Sequence, residues 1–197
     1  MILSGALIIS AYLAGSISSA VIVCKLMGLP DPRTQGSGNP GATNVLRFGN
    51  KKAAAITLLG DLLKGLVPVL LAKFMSNDVD VIALVAVAAF FGHLYPIFFG
   101  FKGGKGVATA AGVFFGFSLP VGAVVMLTWV AIAKTTNISS VSALIAAALS
   151  PVYFAFFQDV EIYTYTAVLL AIVLIYRHRS NIHDLLQGKE GKISDKD

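Results

Sequence analysis

The sequence predicts an all-α integral membrane protein with seven transmembrane helices, its N-terminus outside and its C-terminus in the cytoplasm. Composition is the first reason: 56% of the 197 residues are hydrophobic and only 13% charged, with a mean hydropathy of +0.80. Patterning is the second, because apolar runs of bilayer-spanning length alternate with short polar segments in which the basic residues cluster. A single domain over 1–197 follows, with 183–197 expected as a loosely ordered cytoplasmic tail. The net charge of +5 would suggest nucleic acid in a soluble protein, but lysines and arginines confined to short loops between apolar runs read as topology signals and anion ligands. One cysteine, Cys24, sits inside an apolar run, so the sequence offers neither a disulfide nor a zinc site, and no metal or cofactor is expected.

In order along the chain, the apolar runs place helices near Ile2–Lys25, Ala53–Phe74 and Val81–Phe99, each long enough to cross about 30 Å of hydrocarbon at about 1.5 Å per residue. The first lacks a positive leader and is longer than a signal segment, so it reads as a retained helix. The run from Val107 to Ala133 is one long helix or two short ones broken at Ser118-Leu119-Pro120, where proline removes an N–H and restrains the residue before it. Two further helices are expected near Val141–Phe157 and Ile162–Tyr176.

Charge decides between six helices and seven. With six, Lys134, Arg177, Arg179, Lys189, Lys192 and Lys196 would lie opposite Lys25, Arg33, Arg47, Lys51, Lys52, Lys102 and Lys105. Splitting at Pro120 brings these basic residues to one face and sends Asp78, Asp80, Asp159 and Glu161 to the other, as the positive-inside bias requires. Lys73 is the misfit and is expected to snorkel. Four polar segments then share the cytosolic face: Asp31–Lys52, Phe101–Gly106, Lys134–Ser142 and Arg177–Asn181.

Two of these segments are rich in glycine. In Gly100-Phe101-Lys102-Gly103-Gly104-Lys105-Gly106-Val107, glycines let backbone N–H groups turn toward an anion, and a helix starting near Val107 points its positive end at the same place. It is not a nucleotide P-loop: Phe99 stands five before Gly104, and Gly106 follows Lys105 where a magnesium-binding hydroxyl is needed. In Gly36-Ser37-Gly38-Asn39-Pro40-Gly41-Ala42-Thr43-Asn44, the side chains of Ser37, Asn39, Thr43 and Asn44 suit phosphate oxygens, and Arg47 adds a bidentate cation. Each loop alone could be an ordinary turn or a topology signal; two on one face, both carrying cations, point to bound phosphate.

Deeper in the helices, Asp61 and Lys64 are three apart and can pair, which reads as structural support more readily than as chemistry. His93, a turn before Pro96, reads as a base or as a donor to a freed carbonyl. Ser139 and Ser142 straddle a helix start, where they could simply cap it. His178 and Asn181 are three apart and form a candidate polar ligand pair. Only Asp184 is an acid near His178, so no nucleophilic triad can be assembled, and the site reads as one that binds phosphates. A transporter would need polar groups at the membrane midplane, and a headgroup-binding subunit would not need the glycine-rich loops.

Five segments resemble the bacterial acyl-phosphate:glycerol-3-phosphate acyltransferases of the PlsY type: Ala14-Gly15-Ser16-Ile17, GSGNPGATN at Gly36–Asn44, Gly60-Asp61 with Lys64-Gly65, GHLYPIFFGFKGGKGVAT at Gly92–Thr109, and RHRSNI at Arg177–Ile182. They span nearly the whole chain in order. The departure is at Lys134–Ser142, where the family's aromatic and SLxS-like run is replaced by Asn137-Ile138-Ser139-Ser140-Val141-Ser142. The resemblance implies transfer of a fatty acyl group from acyl-phosphate to the sn-1 hydroxyl of glycerol 3-phosphate, giving lysophosphatidate and phosphate, in the bacterial cytoplasmic (inner) membrane. It implies no cofactor and no nucleic-acid partner, a monomer among membrane lipid, and room for contact with the enzyme that makes acyl-phosphate. Lys105, His178 and Ser37 are then the candidate catalytic residues. Acyl-phosphate falls to Ser37, Asn39, Gly41, Thr43, Gly103, Gly104 and Lys105; glycerol 3-phosphate falls to Arg47, Lys105, Ser142, His178 and Asn181. Asn44, Asp61, Lys64 and His93 are left as supporting residues.

Overall fold

The computed structural model describes residues 1–48 and 50–195, and all regular structure among them is helical. In chain order the α-helices are α1 (Ile2–Gly15), α2 (Ser19–Leu26), α3 (Ala42–Arg47), α4 (Lys51–Met75), α5 (Val79–Leu94), α6 (Val107–Phe117), α7 (Leu119–Thr136), α8 (Ser139–Phe157), α9 (Glu161–Arg177) and α10 (Arg179–Leu186). Lys196 lies outside the described residues.

Four stretches are long and apolar enough to cross a membrane: Lys51–Met75, Val79–Phe99, Leu119–Thr136 and Ser139–Phe157. The first apolar run is not the continuous helix expected over Ile2–Lys25: α1 and α2 meet at a 46° bend and could form a fifth span. The bend has a polar cause, since Lys64 Nζ donates to the Ile17 carbonyl at 2.8 Å, inside the break. A carbonyl released from a helix ladder in an apolar region needs such a donor.

The chain does break at Ser118, whose backbone is extended between α6 and α7 with Pro120 in the first turn of α7. The halves are unequal: α7 has 18 residues, whereas α6 has 11 and is about 16 Å long. Lys73, expected to snorkel, instead caps the short helix, with Nζ donating to the Gly116 and Phe117 carbonyls at 3.1 Å each. A cation at the last carbonyls of a helix meets both their unpaired lone pairs and the negative end of the dipole.

Helix α6 packs along α4, α5 along α1, and α8 between α7 and α9. Small residues permit the first two approaches: a Cβ on Gly65 would strike the Thr109 carbonyl, and one on Gly15 the Ala89 carbonyl. Phe90, Phe114, Phe117, Phe154, Tyr163 and Leu170 fill the centre, with the Phe117 and Tyr163 rings stacked at 4.1 Å. This packing leaves α6 wedged beside α4 and α9, so its N-terminus opens where residues 31–47 and 100–106 and the C-terminal residues converge.

Candidate active site

The four polar segments do come together, around one cavity of about 420 Å³. Its mouth is lined by Ser37, Asn39, Gly41, Thr43, Arg47, Lys105, Gly106, Ser139, Ser140, His178 and Asn181. Its inner part runs between α4, α6, α7, α8 and α9 along Ala55, Leu58, Ala111, Phe114, Met126, Trp129, Ala147 and Leu170. A charged rim over an apolar slot suits an amphiphile with an anionic head.

In the first loop, glycine and amide chemistry build the rim. Asn44 is 2% exposed and its side chain is fully engaged: Oδ1 accepts from the Ser37 N–H at 3.0 Å, while Nδ2 donates to the Pro32 and Gln35 carbonyls at 2.8 and 3.0 Å. Asn44 is therefore the fastening of the loop, and it leaves Ser37 and Asn39 to face the cavity. Thr43 Oγ1 lies 3.1 Å from Ser139 Oγ, joining the loop to the start of α8.

The second loop is held from behind. The Gly104 N–H donates to the His93 carbonyl at 3.2 Å, and a Cβ on Gly104 would run into the His93 imidazole. Arg177 donates to the Gly103 and Gly104 carbonyls at 3.2 and 3.0 Å and lies over the Tyr95 ring, 5.5 Å from its centre. Gly103 and Gly104, assigned from sequence to the donor phosphate, thus serve close packing on the end of α5 and are not among the cavity-lining residues. The groups that do face the cavity are Lys105, Gly106, Val107 and Ala108. Gly106 takes φ = 92°, a conformation only glycine adopts without strain, and from it α6 begins with its first-turn N–H groups free of intrahelical partners. Free N–H groups at a helix N-terminus are suited to an anion.

His178 caps α9, is 3% exposed, and its Nδ1–H donates to the Leu174 carbonyl at 2.8 Å. Burial pushes its pKa down to about 4, with the Lys105 and Arg177 charges acting in the same direction, so the ring is neutral and Nε2 carries a lone pair. Lys105 donates through Nζ to Asn181 Oδ1, and burial lowers its pKa also. Asn181 Nδ2 donates to Glu190 Oε1 at 2.8 Å. The acid brought nearest to the His178–Asn181 pair is thus Glu190, where the sequence offered only Asp184.

Two further sequence assignments change. Ser142 is fully buried, its hydroxyl bonded back to the Ile138 carbonyl at 2.8 Å, and the cavity is lined by Ser139 and Ser140 instead. A serine hydroxyl near a helix start can bond back to the carbonyl four residues earlier, as Ser142 does. The residues expected as a loose tail, 183–197, form the end of α10 and then fold over the mouth as far as they are described. Arg47 donates to the Gly191 and Lys192 carbonyls at 2.7 and 3.3 Å, and the Ile193 N–H donates to the Asn137 carbonyl at 2.8 Å. Below the rim, Asp61 and Lys64 pair at 2.8 Å, with His93 Nδ1 3.6 Å from the same carboxylate oxygen. No group of metal-ligating side chains occurs among the described residues.

Fold and site together define a polytopic helical membrane protein with a cleft, lined by Arg47 and Lys105, that opens onto an apolar slot. The family model described as glycerol-3-phosphate acyltransferase matches residues 5–188. Glycerol-3-phosphate acyltransferase of Thioalkalivibrio sulfidiphilus is 57% identical over 196 residues, covering 100% of this chain and 97% of that one. The enzyme of the same name from Methylococcus capsulatus is 53% identical, covering 94% of each. A solved structure of PlsY (YgiH), described as an integral membrane glycerol 3-phosphate acyltransferase in its glycerol 3-phosphate form, superposes with a TM-score of 0.90 at 40% identity, covering 96% of this chain and 94% of that one. The same protein in its lysophosphatidic acid form gives 0.89 at 38% identity. The chain belongs to the glycerol-3-phosphate acyltransferase family and is an integral membrane enzyme.

Proposed function

We propose that this enzyme transfers a fatty acyl group from acyl-phosphate to the sn-1 hydroxyl of glycerol 3-phosphate, releasing lysophosphatidate and phosphate. The observation that carries the reading is the cavity itself, where Arg47, Lys105 and the N-terminus of α6 ring the mouth of an apolar slot. Two phosphorylated substrates need cations that offset their mutual repulsion, and an acyl tail needs the slot. The topology that serves this has seven spans, N-terminus outside and C-terminus in the cytoplasm. The mouth then faces the cytosol of a bacterium, and the chain sits in its inner membrane as a monomer.

The acyl-phosphate headgroup lies against Ser37, Asn39, Gly41 and Thr43 and takes Lys105 and the first turn of α6. Glycerol 3-phosphate takes Arg47, Lys105, His178 and Asn181. An acyl-phosphate is a mixed anhydride with a good leaving group, so positioning and charge stabilisation supply most of what the step needs. The glycerol oxygen attacks the acyl carbon, the bond from that carbon to the phosphate oxygen breaks, and the hydroxyl proton leaves with the phosphate. No acyl-enzyme forms. His178 Nε2, neutral and facing the cavity, orients the hydroxyl.

Phosphate release from palmitoyl-phosphate by the detergent-purified enzyme, with and without glycerol 3-phosphate, tests the reading. Release that depends on the acceptor and matches lysophosphatidate formation is expected. Release without acceptor, or an acyl group trapped on Ser37, would overturn the direct mechanism.

A further inference from the structure

The C-terminal residues contribute a carboxylate to a cleft otherwise built for anions. Glu190 Oε1 accepts from Asn181 Nδ2 at 2.8 Å and from Ser140 Oγ at 2.7 Å, and Asn181 turns its other end, Oδ1, to Lys105 Nζ. A carboxylate beside two phosphate sites repels both ligands, so its presence needs a compensating role.

The stretch carrying Glu190 is held in place. Arg47 grips the carbonyls of Gly191 and Lys192, and Asn137 Nδ2 donates to Ser194 Oγ at 2.7 Å. Gly191 lets the guanidinium lie close: a Cβ there would stand 2.9 Å from the nearer terminal nitrogen of Arg47.

An ionised carboxylate only accepts hydrogen bonds, and an ammonium only donates them. An asparagine between the two can satisfy both in one orientation alone, NH2 toward the carboxylate and carbonyl toward the ammonium. We infer that Glu190 is a positioning residue for acyl transfer: it locks the Asn181 amide in the orientation that holds the Lys105 ammonium at the cavity mouth. The inference rests on the acyltransferase reading given above. Glu190 touches neither substrate directly and acts through Asn181.

The charge of Glu190 has a second consequence for Lys105. Burial lowers the Lys105 pKa, Arg177 and Arg47 lower it further, and Glu190 and Asp184 oppose them; His178, the remaining titratable neighbour, is neutral. Glu190→Gln removes one of the two opposing charges. The alkaline limb of the activity profile then moves to lower pH.

Exchange of donor and acceptor across the pair is the decisive experiment. Asn181→Asp sets two carboxylates against each other, and kcat/KM for glycerol 3-phosphate is expected to fall about 100-fold. In the Asn181→Asp/Glu190→Gln double variant the amide introduced at position 190 donates to the carboxylate introduced at position 181, whose other oxygen still receives Lys105, and at least tenfold of the loss is expected to return. Glu190→Gln alone should keep its fold, checked by thermal melting, and show the shifted alkaline limb. A double variant no better than Asn181→Asp, or a Glu190→Gln profile with an unmoved alkaline limb, overturns the inference. Wild-type protein that turns over no acyl-phosphate would overturn the acyltransferase reading instead. The dissociation constant for inorganic phosphate, measured on the same four proteins, then decides the inference by the same pattern of loss and recovery.

Discussion

The two glycine-rich loops look alike in sequence and are fixed by different means. In residues 36–44 one side chain does the fastening, since the Asn44 amide satisfies the Ser37 N–H within the stretch and the Pro32 and Gln35 carbonyls just before it. In residues 100–106 the fastening comes from other elements: the end of α5 through the His93 carbonyl and ring, and the end of α9 through Arg177. Glycine therefore does different work in the two. In the second loop, Gly103 and Gly104 are places where neighbouring backbone and imidazole come too close for any Cβ, and rigidity is the result. Such a loop presents Lys105 and the start of α6 without reorganising when an anion arrives, which is what electrostatic stabilisation requires.

The largest effect should come from the second loop. Lys105→Ala is expected to lower kcat by roughly 10²–10³-fold, the scale of losing one preorganised charge-stabilising donor. Ser37→Ala should cost much less in the same acceptor-dependent assay, and an equal loss would mean that the first loop carries the chemistry. Gly104→Ala comes next, because the added methyl must displace the His93 ring or the loop. A shift of about 1 Å at Lys105 would cost ~10²-fold, and restored activity in Gly104→Ala/His93→Ala would sharpen the assignment to that clash. Asn44→Ala should act mainly on stability. It removes one buried hydrogen bond, to the Pro32 carbonyl, and two part-buried ones; the stranded Pro32 carbonyl alone costs about 1–3 kcal/mol where no water enters, read as a lower melting temperature in lipid nanodiscs. A variant of normal stability but lost turnover would break the contrast between the loops.

The smallest effect concerns His178, between the loops. Its folded pKa of about 4 lies below the ordinary 6.5, so the unfolded chain takes up the proton first. The stability this neutral ring contributes is present above pH 6.5 and is lost as pH falls toward 4. His178→Gln should flatten the fall in melting temperature across that window, and an unchanged slope would show that folding does not lower the pKa of the ring. Wild-type kcat should show no transition near pH 6.5.

Much of the site was legible in the residues. Residue type and spacing point to Lys105, Arg47, Ser37, Asn39, Thr43, His178 and Asn181, the family resemblance adds Gly41, and all of them line one cavity. Ser142 turns to the core and Ser139 and Ser140 to the cavity, a choice that packing makes among the serines a helix start offers. Glu190 carried no signal: one acid between Lys189 and Gly191 in a polar tail looks like solvated surface. Arg177 read as a topology signal for a related reason, since the carbonyls it holds are 73 and 74 residues away.

Hydropathy alone marks the membrane class, the distribution of charge selects the break at Ser118-Leu119-Pro120, and glycine with lysine or arginine marks two candidate anion loops, because these signals act over a few residues or simply add along the chain. Tertiary structure alone decided what lies across the bundle. The bend between α1 and α2 answers to Lys64, the short α6 is closed by Lys73, and Lys105 takes its orientation from Asn181 and a tail that returns to the mouth. A buried polar group must find its partner wherever the fold brings one, and distance along the chain does not constrain that choice.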